Sequence, residues 1–139
     1  MDTVLLIGRI LFSIIFLSSG LMGHIVKNKQ MAQYAQYKRV PMASFAVYVT
    51  GLMLILGSVS VIFGIYADLG VLLWVVFLIP TAFIMHAFWK EADETAKMNE
   101  QVAFFKDLAL AGASLIVFAV LHAGADFGPH IGTLLAFKK

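Results

Sequence analysis

The residues best able to do chemistry are histidines and charged side chains that interrupt long apolar runs. His86 and Trp89 stand three positions apart at the end of one run, a spacing that places two side chains on one helix face. An imidazole can hydrogen-bond a quinone carbonyl oxygen, and an indole can pack on the ring. The pair predicts a site for a quinone or a lipid headgroup, with an aromatic belt at the membrane surface as the alternative for the tryptophan.

Three further residues are candidates for this site. His24 lies near the end of the first apolar run, and Lys106 and Asp107 lie near the start of the last. The lysine and aspartate either bind an anionic headgroup or form an ordinary helix start, where a carboxylate is favoured by the helix dipole. The predicted ligand-binding residues are therefore His86, Trp89, His24, Lys106 and Asp107. No catalytic residue is assigned, because the chain has no nucleophile triad order, phosphate loop or dinucleotide fingerprint.

Arg9 and His122 are the remaining ionisable side chains placed well inside apolar runs. An arginine within a membrane span costs about 2.5 kcal/mol or more unless it reaches headgroups or a partner. Two interpretations stay open for Arg9: a side chain that reaches the headgroups, or one paired with Asp68 or Asp126. Two histidines on one side of the membrane without a paired carboxylate motif do not favour a metal site, and none is predicted.

The elements that must position these residues are four apolar segments. The 139-residue chain is 61% hydrophobic and 13% charged, with a mean hydropathy of +0.92, which departs from soluble domains toward membrane proteins. About 20 apolar residues cross a bilayer core. The predicted spans are 4–26, 43–64, 69–89 and 103–124. We predict an all-α integral membrane four-helix bundle with up-down-up-down topology, in a single domain.

Alternating spans would sort the polar residues into two layers. The end with both termini would hold Arg9, Asp68, His122 and Asp126, and the opposite end would hold the five predicted ligand-binding residues. The first loop has the residues of a short interfacial helix, and the charged third loop is rich in helix formers, so its flanking helices can extend beyond the bilayer. Small residues predict helix contacts at Ser19 and Gly23, at Gly57 and Gly64, and at Gly112 with its alanine neighbours.

Composition also excludes some functions. The net charge of +2 comes from ten basic and eight acidic residues in short loops, so no nucleic-acid partner is expected. The chain has no cysteine, which excludes internal disulfides and thiolate chemistry. Any redox role would need a borrowed cofactor or a partner protein.

Three stretches resemble the DoxX family of small four-helix membrane proteins. They are GRILFSIIFLSSGLMGHI in the first span, VPMAS before the second, and HAFWKEADETAKMNEQVAFFKDLALAGASL across the third loop. The resemblance runs from about Leu5 to about Ala119, and it differs at Asp107, where family members often have asparagine. The resemblance implies association with membrane redox complexes, including a thiosulfate:quinone oxidoreductase, and with defence against oxidative stress.

The functional prediction follows from the candidate site residues and the family resemblance together. We expect a multi-pass subunit of a redox or oxidative-stress assembly in a bacterial plasma membrane, which binds quinone or lipid and has no intrinsic cofactor. Its expected partners are the bilayer, a membrane or peripheral redox protein, and a further copy of itself. The alternative is a non-catalytic scaffold or a small-molecule transporter. Basic residues are more numerous on loops one and three than at the termini, which predicts that those loops face the cytoplasm.

Overall fold

The computed structural model describes residues 1–131, and within that range every regular element is a helix. Four helices are long and apolar enough to cross a membrane: Asp2–Val26, Ala43–Phe63, Ala67–Lys90 and Glu94–His122. The predicted all-α membrane bundle is therefore confirmed. In detail the elements are α1 (Asp2–Ser18), a π-helical segment (Ser19–Val26), α2 (Asn28–Tyr37), α3 (Ala43–Phe63), α4 (Ala67–Met85), a 3-10 turn (Phe88–Lys90) and α5 (Glu94–His122).

Two loop expectations agree with the structure. The first loop contains the ten-residue helix α2. The last span extends beyond its apolar part, because α5 begins at Glu94, where the Asp93 side chain accepts a hydrogen bond from the Ala96 amide at 2.8 Å. An aspartate in this position satisfies an amide that has no partner within the helix. The extension continues one helical surface from the charged loop into the membrane.

The winding of the first span was not predicted. After Ser18 the helix continues as eight residues of π-helix, a rare form that is found most often at functional sites. The segment packs closely on α3: a Cβ atom on Gly51 would lie 2.5 Å from the His24 Cβ, and one on Gly20 would lie 3.0 Å from the Gly51 carbonyl oxygen. The two glycines therefore allow the π-helical segment to approach α3.

Trp74 forms the centre of the bundle. It is fully buried, its ring stacks on Phe16 with centroids 3.9 Å apart, and its Nε1 donates to the Leu54 carbonyl oxygen at 3.4 Å. Helix α3 packs against α1 and α4, and α4 packs against α5. One ring thus joins α1, α3 and α4 in the core.

The small-residue predictions are partly wrong. Gly57 does sit at a close helix contact, since a Cβ atom there would lie 2.5 Å from Trp74 Nε1 and 2.9 Å from the Gly70 carbonyl oxygen. Gly112 does not, because a Cβ atom there would meet no atom within 4 Å. The close α3–α4 crossing is made by Gly57 and Gly70, and α5 needs no glycine for its packing.

Candidate ligand cavity and polar network

A cavity of about 470 Å³ lies between the π-helical segment, α2, α3 and α4, with the membrane entry of α5 at its edge. Its wall is mostly apolar and includes three methionines and one phenylalanine: Met31, Met53, Met85 and Phe77. The ionisable side chains on the wall are His24, Tyr34, His86, Lys106 and Asp107. Four of them, Tyr34, His86, Lys106 and Asp107, are linked by contacts with one another or with Glu100 and form the polar end of the cavity. An apolar pocket with a few convergent polar groups is the usual form of a small-molecule site.

His86 lies where α4 stops. Helix α4 ends at Met85, and the His86 amide donates to the Thr81 carbonyl oxygen at 3.3 Å. The imidazole is thereby placed between two carboxylates of α5: Nδ1 is 2.7 Å from Glu100 Oε2, and Nε2 is 3.6 Å from Asp107 Oδ2. Glu100 and Asp107 are seven residues apart on α5, so both lie on the same helix face.

The number of protons on His86 and Asp107 decides whether the imidazole and the carboxylate attract each other. A neutral imidazole that donates from Nδ1 to Glu100 would present a lone pair at Nε2 to the Asp107 carboxylate. The arrangement is favourable when one additional proton is held by Nε2 or by Asp107. Asp107 is 5% exposed, and both His86 and Asp107 line the cavity, so such a proton would lie at the polar end of the cavity.

Polar side chains of α2 and of Lys38, which follows it, contact α5 and Glu91, which precedes α5. The Tyr34 hydroxyl donates to Glu100 Oε1, and the Lys38 Nζ lies 2.6 Å from Glu91 Oε1 and 3.3 Å from Glu100 Oε1. The backbone of α2 packs instead on α3 and the π-helical segment. We call the line of polar contacts between Tyr34 and Lys38 on one side and Glu91 and Glu100 on the other the α2–α5 seam.

The seam holds two of its groups in fixed protonation states. Burial and the hydrogen bond to Glu100 raise the pKa of the Tyr34 phenol to about 12. Burial alone would lower the pKa of the Lys38 ammonium, but its bonds to Glu91 and Glu100 outweigh that effect and raise the pKa above its usual value. At neutral pH Tyr34 is therefore a neutral donor and Lys38 a cation.

His24 contributes a second imidazole to the cavity. It is buried, its Nδ1 donates to the Ser19 carbonyl oxygen at 2.9 Å, and its ring meets Phe77 edge-on. The bond runs five residues back along the chain, so the π-helical winding fixes the orientation of the ring. Lys106 also lines the cavity, with its Nζ 4.0 Å from Asp107 Oδ1.

The predicted common face of His86 and Trp89 is wrong. Because α4 ends at Met85 and the chain turns through the 3-10 segment, the two side chains do not follow a helical spacing. Trp89 is 50% exposed and packs on Phe88 and Phe104. Four of the five predicted ligand-binding residues, His24, His86, Lys106 and Asp107, line the cavity, whereas Trp89 belongs to an aromatic cluster beside it.

Arg9 lies at the opposite end of the bundle, and neither predicted partner pairs with it. Its guanidinium donates to three carbonyl oxygens, those of Ile62 at 2.8 Å, Phe127 at 2.8 Å and Pro129 at 2.6 Å. Asp68 accepts from the Leu69 amide and Asp126 from the Gly128 amide. Both carboxylates cap local backbone, so Arg9 is left to bind the C-terminal segment.

His122 and Arg9 are both found at the terminal end, as the predicted layers require. The His122 ring packs on Phe118 with centroids 4.2 Å apart. Within residues 1–131 no three His, Asp or Glu side chains come together as a metal site would need.

Sequence reasoning missed the seam. None of the predicted site residues was Tyr34, Lys38, Glu91 or Glu100. The available signal was the spacing of Glu100 and Asp107, which predicts a common face once α5 is extended through the third loop. The contacts of α2 have no such signal, because they join segments far apart in sequence.

A family model described as DoxX matches residues 4–87, more than half of the chain. The chain belongs to the DoxX family. The match includes Arg9, His24 and His86 and ends before α5, so the resemblance proposed beyond residue 87 stays a prediction. Comparison with curated proteins and with solved structures found no match. This DoxX-family chain is thus a multi-pass integral membrane protein.

Proposed function

We propose that this DoxX-family protein is a membrane subunit of a redox or oxidative-stress assembly and that its cavity binds the ring of a quinone. The observation that carries the proposal is the meeting of His86 and Asp107 at the polar end of an otherwise apolar cavity. A quinone presents the matching features, a flat apolar ring with carbonyl oxygens that accept hydrogen bonds. Its size suits a cavity of about 470 Å³, within the range of about 300–1,000 Å³ for small-molecule sites.

The polar end supplies what a quinone carbonyl requires. The proton held between His86 and Asp107 can be donated to that oxygen, and Lys106 offers a second donor from the same wall. Phe77 and the methionines provide polarizable surface for the ring. The chain brings no electron carrier of its own in this proposal, so electrons come from a partner protein in the same membrane, for which a bacterial plasma membrane is the expected setting.

The alternative is a scaffold or a small-molecule transporter. A scaffold requires only a packed interior, and the buried carboxylate beside an apolar cavity has no purpose in it. A transporter would release the ligand to either side of the bilayer, and no described feature favours that over binding. The quinone proposal therefore has the better support.

The test is quinone binding by the purified protein. Protein extracted in mild detergent should carry quinone detectable by mass spectrometry, and after delipidation it should bind decylubiquinone. His86→Ala and Asp107→Asn should each weaken binding about tenfold, since one lost hydrogen bond of about 1.4 kcal/mol has that effect. Trp89→Ala, which changes an aromatic residue beside the cavity, should bind like the wild type.

Two results would count against the proposal. Wild-type protein that retains phospholipid but neither retains nor binds quinone would indicate a lipid site or a scaffold. Equal losses in all three variants would indicate that the fold, and not the cavity, had been affected.

A further inference from the structure

Three ionisable side chains form a line from the α2–α5 seam to the cavity. Glu100 lies at the seam with its side chain 14% exposed, His86 lies next to it, and Asp107 stands at the cavity with its side chain 7% exposed. Glu100 Oε2 lies 2.7 Å from His86 Nδ1, and His86 Nε2 lies 3.6 Å from Asp107 Oδ2. The binding proposal uses His86 and Asp107 but leaves Glu100 without a role.

We propose that Glu100, His86 and Asp107 form a proton relay between the α2–α5 seam and the cavity. The inference rests on the proposed function for its acceptor, a quinone that takes up protons when it is reduced. An apolar cavity walled by methionines delivers no protons itself, so a buried quinone needs a path of ionisable groups. Histidine suits the middle position, because it can bind a proton at one nitrogen and release one from the other.

Each transfer conserves protons. Glu100 accepts hydrogen bonds from Tyr34 and Lys38 as a carboxylate, so each transfer begins when water at the seam protonates it while neutral His86 carries its proton on Nε2. The Glu100 O–H bond then breaks as an N–H bond forms at Nδ1, and the N–H bond at Nε2 breaks as an O–H bond forms at Asp107. The His86 proton must return from Nδ1 to Nε2 before the next transfer. Asp107 then donates its proton to the quinone oxygen. Two such transfers, with two electrons from a reductant outside the chain, convert the quinone to the quinol. The gap of 3.6 Å between Nε2 and Asp107 exceeds a hydrogen bond, so a small side-chain rotation must precede the second transfer.

The charged neighbours support this assignment. Among residues 1–131, Glu100 faces Tyr34 of α2 and the following Lys38, His86 faces the two carboxylates, and Asp107 faces Lys106. Burial and the hydrogen bond to Glu100 raise the pKa of Tyr34, and the bonds to Glu91 and Glu100 raise the pKa of Lys38 against the opposite effect of burial. Neither Tyr34 nor Lys38 therefore exchanges its proton at neutral pH, which leaves the three members of the relay to carry protons.

Variants of Glu100 test the relay separately from ligand binding, because Glu100 does not form part of the cavity wall. Glu100→Gln keeps the shape of the side chain and one acceptor oxygen for Tyr34 and Lys38 but cannot carry a transferable proton. Glu91→Gln is the matched control, since it removes the other carboxylate that Lys38 contacts at the seam. Glu100→Asp restores a carboxyl group at the same position and should rescue transfer in part.

The experiment uses the full chain in nanodiscs loaded with decylubiquinone at one molecule per protein. Dithionite supplies the electrons, stopped-flow absorbance follows quinol formation, and empty nanodiscs with the same quinone give the background. A positioned acid or base contributes about 10²–10⁴-fold to a proton-transfer rate. Glu100→Gln should therefore slow reduction at least tenfold, with unchanged affinity and a larger rate loss in D2O, whereas Glu91→Gln should match the wild type.

Each outcome decides one of the two proposals. Wild-type protein that fails to bind decylubiquinone overturns the proposed function and the relay with it. Binding with equal reduction rates in wild type and Glu100→Gln overturns the relay alone. Slowing by Glu91→Gln as much as by Glu100→Gln, without rescue by Glu100→Asp, would show that the seam acts by holding α2 in place and would also overturn the relay.

Discussion

The two ends of the bundle bury charge in opposite ways. At the terminal end, Arg9 is 5% exposed and is bound by backbone carbonyl oxygens of Ile62, Phe127 and Pro129. At the loop end, His86 lies between two carboxylates, 2.7 Å from Glu100 and 3.6 Å from Asp107, and Glu100 also contacts a lysine and a tyrosine. The first end uses partners that cannot exchange protons, and the second uses partners that can.

This difference separates a structural role from a chemical one. Carbonyl oxygens satisfy a guanidinium at any pH, and the Phe127 ring adds a cation–π contact at 4.7 Å. The result is a clamp that holds residues 127–129 against α1, where a Cβ atom on Gly128 would lie 3.0 Å from the Leu5 Cβ. Side-chain acids around an imidazole beside a cavity instead form a group that can respond to a ligand.

Removal of Arg9 should have the largest effect on stability. Arg9→Met leaves three carbonyl oxygens without their donor, and each buried unsatisfied group costs about 1–3 kcal/mol. We expect the free energy of unfolding in detergent to fall by at least about 2 kcal/mol, while decylubiquinone affinity stays unchanged. Arg39→Met, at an exposed position in the first loop, is the control. Loss of quinone affinity in Arg9→Met would contradict the assignment of a structural role to the terminal end and a chemical role to the loop end.

The stability of the packed middle of the bundle should depend on side-chain volume and not on charge. Gly57→Ala places a methyl group 2.5 Å from Trp74 Nε1 and 2.9 Å from a carbonyl oxygen, an overpacking that costs about 1–3 kcal/mol. Gly112→Ala meets nothing within 4 Å and gains up to about 1 kcal/mol in helix propensity. Thermal unfolding should therefore shift in opposite directions for these two variants. Equal destabilisation by both would mean that α5 packs more closely than described.

The smallest expected effect lies at the seam. The pKa of Tyr34 is raised to about 12 by burial and by Glu100, from 10.0. Since the unfolded chain releases this proton first, the folded state loses stability as pH rises from about 10 to about 12. Absorbance titration should show one tyrosine that ionises near pH 12, and Tyr34→Phe should remove that transition. Loss of a transition near pH 10 instead would show that Tyr34 does not contact Glu100.

Much of this architecture could be predicted from the sequence. The four apolar runs and the alternating topology were sufficient to place Arg9 and His122 at one end and His24, His86 and Asp107 at the other. The end of α4 before His86 was missed, because the apolar run continues to Trp89 while the backbone leaves the helix at Met85. The π-helical segment and the contacts of Tyr34 and Lys38 were missed too. The first packs closely on α3, and the second join Tyr34 and Lys38 to Glu91 and Glu100, so both depend on residues far apart in sequence.

Photolabelling with an azido-substituted quinone tests the central claim most directly. Irradiation of the purified protein with the probe, followed by digestion and mass spectrometry, locates the bound ring without reference to any activity. We expect label on cavity-wall residues such as Met31, Met53 and Met85, and we expect unlabelled decylubiquinone to displace it. Label confined to the lipid-facing surface or to the Arg9 end, or label that decylubiquinone does not displace, would contradict a quinone site in the cavity.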